Sequence, residues 1–287
     1  MRHAFLILSA LTGLLAASCS VKEDRATCTA PVSVTVKDFA VSLEDLPSKT
    51  PQTVTSYSGI TAITFAIFSG DTQVYKNTQE RAQSGASFGS FSRTLEFGTY
   101  TVVAVGYGLQ SGDTFFLTSP TAAGFTTERA RETFCATDTF TVSDTAPINL
   151  DLTLQRIVSQ LYVNSTDNRS AAATKVRVTY AAGERKFNPT TGLATEDTGF
   201  SVTSSISDNK PIGVNCGYLF LAADQQEMDI TIETLDNSNN VLFTKVVKDV
   251  PFRRNRKTVL SGPLFTAESA AEIQVEATWL AEEPVSF

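Results

Sequence analysis

The sequence has 287 residues, with 23 basic and 30 acidic side chains, a net charge of −7 and one histidine. This acidic balance argues against nucleic acid and anionic lipid head groups as partners. The length exceeds that of one typical β-sandwich and suits two domains. Because the histidine is His3, the rest of the chain lacks the commonest general base and metal ligand. We therefore expect no enzymatic activity, no metal site and no cofactor.

Residues 1–18 are predicted to be a secretory signal peptide. A basic start is followed by an apolar run too short to cross a bilayer, and small residues precede Cys19. A cysteine at this place is typical of a bacterial lipoprotein, so Cys19 is the predicted lipidation site. Since no second apolar run approaches the ~20 residues of a membrane helix, the lipid is the only membrane contact that we expect.

The residues after the lipidated cysteine resemble an export signal. They are Lys22, Glu23 and Asp24. A lysine followed by acidic residues is similar to the signal that sends lipoproteins of Bacteroidota to the outer face of the outer membrane. The alternative is that residues 19–30 are an ordinary acidic linker.

The first half of the mature chain is predicted to form short strands. Val32–Val36 alternates apolar and polar residues, and Phe39–Leu43 alternates on the opposite parity. The change at Lys37-Asp38 predicts a bulge or corner, since a slip of one residue exchanges the two faces. Ile60–Phe68 is apolar on both faces, as expected of a central strand, and Gly98–Val105 is a second such strand.

Further strands are predicted along the second half. They are Val176–Tyr180, Tyr218–Ala222, Met228–Leu235, Val241–Val247, Thr258–Leu264 and Ile273–Trp279. The turn-forming residues 236–240 predict a hairpin between the third and fourth of these strands. Many short strands with frequent turns indicate an all-β protein of two tandem antiparallel sandwiches.

The domain boundary is predicted near residue 147. Ile148–Leu154 carries apolar residues at even positions, and from Ile157 onward they fall at odd positions, so the buried face changes near Gln155-Arg156. We interpret this as a strand leaving an N-terminal sandwich (31–147) for a C-terminal one (148–287). A β-bulge within one sheet has the same signature.

Three cysteines follow Cys19. They are Cys28, Cys135 and Cys216. An exported chain permits oxidation, but this odd count allows at most one internal disulfide, and the sequence does not choose the pair. We interpret these thiols as buried hydrophobic groups rather than reactive ones.

Four short motifs resemble chemical sites. Gly85–Gly89 matches the G-x-S-x-G nucleophile elbow but has no later histidine. The basic run 253–257 is interpreted as a solvated turn, and the acidic turn 236–240 lacks the glycine and glutamate of a calcium loop. Asp144-Thr145-Ala146 is similar to the O-glycosylation acceptor of Bacteroidota, which makes Thr145 a candidate glycan site.

The order of these features resembles the fimbrillin superfamily of Bacteroidota, which builds type V pili. The resemblance rests on the lipoprotein cysteine, the strands Val32–Val36 and Ile60–Phe68, the Leu154–Val158 segment and the Val250–Asn255 segment. It implies two transthyretin-like sandwiches with Greek-key topology. It also implies a lipoprotein exported to the cell surface, with other fimbrial subunits as partners.

The same resemblance implies assembly by strand exchange. In stalk subunits a protease cuts after a basic residue and releases the first strand, whose groove is then filled by a strand of a neighbouring subunit. Carried over to this chain, the removable strand is Val32–Leu43, with Val32, Val34 and Val36 facing the groove. The cut falls after Lys49, and Glu272–Phe287 is the donor segment. Anchor and tip members of the superfamily need not be cut.

Two functions remain open from the sequence. The first is a surface-exposed fimbrial component or adhesin, held in the outer membrane by its lipid, with a host or bacterial surface receptor or glycan as a further partner. The second is a glycan-binding lipoprotein of a nutrient-uptake system. Exposed aromatic side chains would favour glycan binding. A groove beneath the strand Val32–Leu43 would favour the fimbrial function.

Overall fold

The computed structural model of the chain describes residues 28–40, 52–127, 129–207, 212–266 and 274–279, with the backbone alone at residue 52 and over 274–279. Within these ranges the chain forms twenty strands, one short α-helix and one turn of 3-10 helix. The all-β class predicted from the sequence is therefore confirmed.

The strands follow one another through short connections. The first ten are β1 (Thr29–Ala40), β2 (Gln52–Thr53), β3 (Ala62–Ser69), β4 (Thr72–Glu80), β5 (Ser90–Glu96), β6 (Gly98–Tyr107), β7 (Phe115–Ser119), β8 (Ala122–Phe125), β9 (Thr133–Val142) and β10 (Ile148–Arg156). Between β4 and β5 lie the helix α1 (Arg81–Ser84) and the 3-10 turn (Gly85–Ser87). The last ten are β11 (Ser159–Ser165), β12 (Lys175–Tyr180), β13 (Lys186–Asn188), β14 (Leu193–Ala194), β15 (Phe200–Ser205), β16 (Gly213–Leu219), β17 (Gln225–Leu235), β18 (Val241–Arg253), β19 (Arg256–Gly262) and β20 (Gln274–Trp279).

The first sandwich has two layers. One contains β2, β5, β1 and β10, and the other contains β9, β6, β3 and β4. The layers join where β10 and β9 pair, and that pairing is limited to Gln155 with Cys135 and Arg156 with Phe134. Beyond these two pairs the strands separate, and apolar side chains from both layers form one core between them.

Strand β3 is central, as its apolar character predicted. It pairs with β4 on one side and β6 on the other. Ile63 and Phe65 face the core of the first sandwich, whereas Ala66 and Phe68 face a second apolar cluster on the outer side of the layer. Both faces are therefore apolar because each contacts a different core.

The predicted bulge in β1 is confirmed. The register of β1 with β10 shifts between Val36 and Asp38, and the buried face changes from Val36 to Phe39 at this place. The two strands run parallel, and a parallel pair needs a long connection. Here that connection is the remainder of the first sandwich.

Strand β10 corrects the predicted boundary. The sequence interpretation placed Ile148 at the start of the C-terminal sandwich, but Ile148–Gln155 pairs with β1 and belongs to the first. The passage between sandwiches occurs instead where β10 ends at Arg156 and β11 begins at Ser159. This is where the apolar parity changes.

The second sandwich also has two layers around one core. They are β16-β11-β19-β20 and β15-β12-β17-β18. Strands β11 and β19 are parallel, and the predicted hairpin is confirmed by the pairing of β17 with β18. The strand expected over Tyr218–Ala222 ends at Leu219, and Phe220 makes only an isolated bridge to Glu184. The predicted face of Ile273–Trp279 lies outside the described side chains.

A small fourth sheet joins the two halves of the chain. Its order is β14-β13-β8-β7, with Phe187 of β13 opposite Ala123 of β8. The sheet covers the outer side of β3 and β6, and Phe187 stacks on Phe220 with ring centroids 4.4 Å apart. Because strands from both halves share one sheet and one apolar cluster, the junction between the sandwiches is itself a packed core.

Candidate functional site

The first strand is inserted between two neighbours. β1 runs parallel to β10 and antiparallel to β5, and β2 pairs with its last residues. Val32 and Val34 are completely buried and Val36 is 3% exposed. Burying a valine side chain is worth ~1.5–3 kcal/mol, so these three side chains contribute several kcal/mol to the first sandwich. The burial predicted for them is confirmed, while their exchange between subunits stays a prediction.

The segment after β2 is held by Arg81 as well as by β1, where the carbonyl of Lys37 accepts the N–H of Val54 at 3.3 Å. The guanidinium of Arg81 donates to the main-chain carbonyls of Val54, Tyr57 and Ile60 at 2.9, 2.8 and 2.9 Å. These three residues are themselves buried in the core. The Arg81 guanidinium also lies 4.3 Å from the ring centroid of Phe88. One side chain therefore connects residues 54–60 to Phe88, in the segment that leads into β5.

A buried polar network spans the junction. Arg156 lies 2.8 Å from the carboxylate of Glu132, and it donates to the hydroxyl of Tyr57 at 3.0 Å and to Oδ1 of Asn255 at 2.9 Å. Tyr57 in turn donates to Glu132 at 2.6 Å. Burial and the neighbouring Glu132 carboxylate raise the pKa of Tyr57, so its hydroxyl remains a donor. The positive charge of Arg156 is buried, so the loss of any of these partners should be costly to the stability of the fold.

The sequence indicates a change of parity at Arg156 and no role for this side chain. Its even position continues the apolar pattern of Leu152 and Leu154, and that pattern was the available signal for a buried arginine. Arg81 carried no such signal, because the three carbonyls that it binds belong to a segment more than twenty residues earlier in the chain.

A cleft of about 570 Å³ opens beside this network, in the fork where β9 and β10 separate. We call it the junction cleft. Residues of both sandwiches line it, including Thr137, Gln155, Arg156, Thr191, Arg254 and Asn255. Its volume is within the range of ligand clefts in proteins, and it lies between domains, where such clefts are common.

The basic run is a turn, as predicted, but it is not simply solvated. Arg254 and Asn255 connect β18 to β19, and Asn255 has a positive φ of 58°. Asn255 is buried at the junction, and Arg254 donates to the carbonyl of Thr191 at 3.0 Å and pairs with Asp224 at 2.5 Å. The turn therefore forms one wall of the junction cleft.

Several predicted site residues lie outside the described residues. They are Cys19, Lys22, Glu23, Asp24 and Lys49. Thr145 is described and lies in an exposed bend between β9 and β10, next to Asp144, whose carboxylate accepts the N–H of Ala146 at 2.8 Å. The hydroxyl of Thr145 is therefore accessible.

The cysteines within the described ranges form no disulfide with one another. Cys135 and Cys216 are buried, as interpreted from the sequence, whereas Cys28 is exposed. Burial raises the pKa of the Cys135 and Cys216 thiols to about 12, so both remain protonated and unreactive near neutral pH.

Two other motifs form local hydrogen bonds. Ser87 lies in the 3-10 turn and donates to the carbonyl of Ser84 at 2.8 Å. Asp236 accepts hydrogen bonds from the backbone and side chain of Asn240 and so closes the hairpin turn. Among the described residues there is no cluster of three or more metal-ligating side chains. In the same part of the chain, no helix has the length and apolar character to cross a membrane.

Comparison with known proteins places this arrangement among related folds. A family model described as "Family of unknown function (DUF6562)" matches residues 116–285. No curated protein matches the sequence.

Three solved structures share the fold. A candidate adhesin from Bacteroides ovatus is 11% identical with a TM-score of 0.54, and the match covers 88% of this chain and 96% of that one. The fimbrial anchor protein Mfa2 from Porphyromonas gingivalis is 11% identical with a TM-score of 0.53, covering 87% and 97%. A protein from Bacteroides thetaiotaomicron, described as a candidate polysaccharide-binding protein, is 10% identical with a TM-score of 0.53, covering 88% and 99%. The predicted resemblance to fimbrillin-like proteins is confirmed at the level of the fold.

Proposed function

The chain belongs to DUF6562, a family of unknown function, and we propose that this member is a surface-exposed fimbrial component or adhesin that assembles by β-strand exchange. The observation that carries the proposal is the position of β1. It is the first strand of the described chain, yet it lies inside the first sandwich between β10 and β5. An N-terminal strand in such a position can be removed without cutting the rest of the fold.

Removal of β1 would leave a groove suited to another strand. Strands β10 and β5 would lose their ladder partner, and the apolar slot that holds Val32, Val34 and Val36 would open to water. Unpaired strand edges above an apolar slot attract a strand from another chain, which supplies backbone hydrogen bonds and alternating side chains. Other fimbrial subunits are the partners that this mechanism requires.

We expect residues 54–60 to stay in place after β1 is released. Arg81 binds the carbonyls of residues 54–60, and Val54, Tyr57 and Ile60 are buried in the core. In our proposal, cleavage after Lys49 leaves this segment in place and releases the strand Val32–Leu43.

The proposed donor is the C-terminal segment Glu272–Phe287. Its sequence places Ile273, Val275 and Ala277 at the same two-residue spacing as Val32, Val34 and Val36. In the structure, β20 within this segment pairs with β19 at the edge of the second sandwich. Donation to a neighbouring subunit would therefore begin with release of β20 from an edge, where a strand is held by one neighbour only.

The proposal includes anchoring at the cell surface. Cys19 would carry the lipid in the outer membrane, and Lys22, Glu23 and Asp24 would direct export to its outer face. In a Bacteroidota host, Cys19→Ala should remove the protein from the outer-membrane fraction. Alanine at the three export positions should keep the lipid but abolish whole-cell surface labelling. Retention in the membrane in the first case, or unchanged labelling in the second, would contradict these assignments.

Thr145 is the candidate glycan site. Replacing Thr145 with alanine should lower the mass of the surface-extracted protein by the mass of the glycan.

The glycan-binding alternative has little support on the described surface. Its large exposed hydrophobic side chains are Val74, Phe97, Val241 and Val246, of which one is aromatic. Stacking of sugar rings usually needs several such aromatic groups. We likewise propose no catalytic role, no cofactor and no nucleic-acid partner, because the mature chain lacks histidine and is acidic.

Strand exchange is tested with two purified chains, one starting at Ala26 and the other at Thr50. The shorter chain should melt at a lower temperature or self-associate in sedimentation, because its groove is open. A peptide of residues 272–287 should restore its stability, and the same peptide with Val275→Asp should not. Two equally stable monomers that ignore the peptide would exclude strand exchange through this segment.

A further inference from the structure

The two sandwiches share one plan of seven strands. In chain order these are β1, β3, β4, β5, β6, β9 and β10 in the first sandwich, and β11, β12, β15, β16, β17, β18 and β19 in the second. In both, the first strand is parallel to the seventh and antiparallel to the fourth. The second strand lies between the third and the fifth, and the fifth also pairs with the sixth. Each position in one sandwich can therefore be compared with its counterpart in the other.

The two copies of this plan differ beside the seventh strand. In the second sandwich, β20 is an eighth strand that pairs with β19 on the side away from β11, from Arg256–Trp279 to Ser261–Gln274. In the first sandwich, the same side of β10 meets β9 only at residues 155 and 156. Within the described parts of the chain, residues 148–154 of β10 therefore have no ladder partner on the side away from β1. We call these residues the open edge.

Burial along the two strands shows what β20 covers and the open edge lacks. Ile148 and Leu150 face the core of the first sandwich but remain partly exposed, whereas Leu152, nearer the pairs with β9, is 5% exposed. Beside β20, the core-facing residues Thr258 and Leu260 of β19 are completely buried. The outward-facing residues are exposed along β10 but only partly exposed along β19. The first sandwich is therefore uncovered at the position that β20 fills in the second.

From these observations we propose that the open edge binds an extended segment of a partner protein, which runs antiparallel to β10 as β20 runs along β19. An unpaired strand edge offers main-chain donors and acceptors to such a segment. Because its direction is set by the edge, the segment has one face over the core and the other toward water. This position differs from the one that β1 fills, so the proposal does not require the release of β1.

The side chains at the open edge define the chemistry of the partner. Its inward side chains are apolar at every second position, because they cover Ile148 and Leu150. Its outward side chains are polar, because they lie beside Asn149, Asp151 and Thr153, which are exposed. A basic residue fits beside Asp151, whose pair with a lysine of β1 is exposed and therefore weak.

A designed peptide serves as the partner in the test. It has eight residues with blocked ends and alternates valine with threonine and lysine, and the control peptide has the same composition with the four valines grouped together. The protein is the chain from Ala26 with Cys28→Ser, in which β1 is retained. Fluorescence anisotropy should show that the alternating peptide binds about tenfold more tightly than the control, since only the alternating one presents an apolar face and a polar face.

Methylation of the peptide backbone tests for ladder pairing. N-methyl groups on one alternate set of amides block one edge of an extended peptide, and those on the other set block the opposite edge. A peptide with a fixed direction and a fixed inward face has β10 on one side only. One set should therefore weaken binding by about tenfold and the other by less than about twofold. Equal effects of the two sets would show that the peptide does not bind as a strand.

A disulfide trap locates the bound peptide. Asn149→Cys places a thiol at the open edge, and Thr94→Cys places one at an exposed position of β5, which pairs with the other side of β1. A peptide with cysteine in place of one threonine should form the mixed disulfide about tenfold faster with Asn149→Cys than with Thr94→Cys. Both substitutions are at exposed positions, and thermal melting checks that each variant is as stable as the parent chain.

Three further results would overturn the proposal. They are equal binding of the alternating and control peptides, equal rates of trapping at the two cysteines, and a disulfide between two Asn149→Cys chains in place of the mixed one. The last would assign the open edge to a second copy of this chain. The strand-exchange experiment compares chains with and without β1, and its result does not alter these outcomes, so the two proposals fail separately.

Discussion

The guanidinium of Arg156 donates to the amide oxygen of Asn255 at 2.9 Å, and these residues, 99 positions apart in sequence, are both buried. Arg156 ends the last strand of the first sandwich, and Asn255 lies in a turn of the second. The same guanidinium contacts Glu132 and Tyr57, so a single side chain links the end of β10, the approach to β9, the segment after β2 and the second sandwich.

Replacing Arg156 should be strongly destabilising. Arg156→Ala leaves the carboxylate of Glu132, whose side chain is 15% exposed, without its cation. Breaking a fully buried pair costs about 3–5 kcal/mol, so we expect a loss of up to this size. Lys37→Ala is the matched control, because the pair Lys37–Asp151 is exposed and worth about 0–1 kcal/mol. Urea unfolding measures both variants, and similar values for the two would show that the junction network contributes little.

The inward face of β1 should dominate its contribution to stability. Val34→Ala removes a completely buried side chain and should lower the free energy of unfolding by about 2–3 kcal/mol. Ser33→Ala changes the neighbouring residue on the other face, where the hydroxyl contacts Ser92 at 2.8 Å, and should cost less than about 1 kcal/mol. Thermal melting checks the difference, and the reverse order would mean that β1 is not packed by this face.

Substitution of Gly192 should be more destabilising than substitution of an open glycine. Gly192 has a positive φ of 71°, and an added Cβ would lie 2.8 Å from Cγ2 of Ile157 and 2.9 Å from Nη1 of Arg254. Gly70 has a φ of 58° with nothing within 4 Å, so Gly70→Ala measures the conformational cost alone. Gly192→Ala should therefore destabilise the protein by about 1–3 kcal/mol more than Gly70→Ala. Equal costs would mean that the wall of the junction cleft yields easily.

Stability should fall in alkaline solution because of the buried thiols. Folding raises the pKa of Cys135 and Cys216 from 9.0 to about 12, so only the unfolded chain loses these protons just above pH 9. Their contribution is complete below pH 9 and is lost progressively as the pH rises toward 12.

Urea unfolding at pH 8 and pH 10 measures this loss. Cys135→Ala with Cys216→Ala should reduce the difference between the two pH values, and each single variant should remove part of it. Some pH dependence should remain, because burial also raises the pKa of Tyr57 and Tyr180. An unchanged difference in the double variant would show that the thiols ionise equally in the folded and unfolded chains.

Some elements could be predicted from the periodicity and turn residues of their own short segment. The alternation of β1, its bulge after Val36, the two apolar faces of β3 and the β17–β18 hairpin were all predicted and are observed. Each depends on residue periodicity or turn chemistry within about fifteen residues, which a sequence displays directly.

The strand Ile148–Arg156 shows where such patterns stop. The parity of its apolar residues indicated that the buried face changes from one core to another, and that change occurs. The pattern could not show that β10 pairs with β1, the first strand of the same sandwich. The small sheet at the junction was not predicted at all, because β13 and β14 have three and two residues and carry no periodicity of their own.

The sequence alone determined the all-β class, the positions of β1, β3, β6, β17 and β18, the absence of histidine after His3 and the buried face of β1. Apolar spacing and composition are properties of neighbouring residues, so no tertiary contact was needed to identify them. Only the tertiary structure decided the sheet to which β10 belongs, the binding of residues 54–60 by Arg81, the network of Arg156 and the junction cleft. These depend on contacts between residues that are distant in sequence, and such contacts exist only after both sandwiches have packed against the shared sheet.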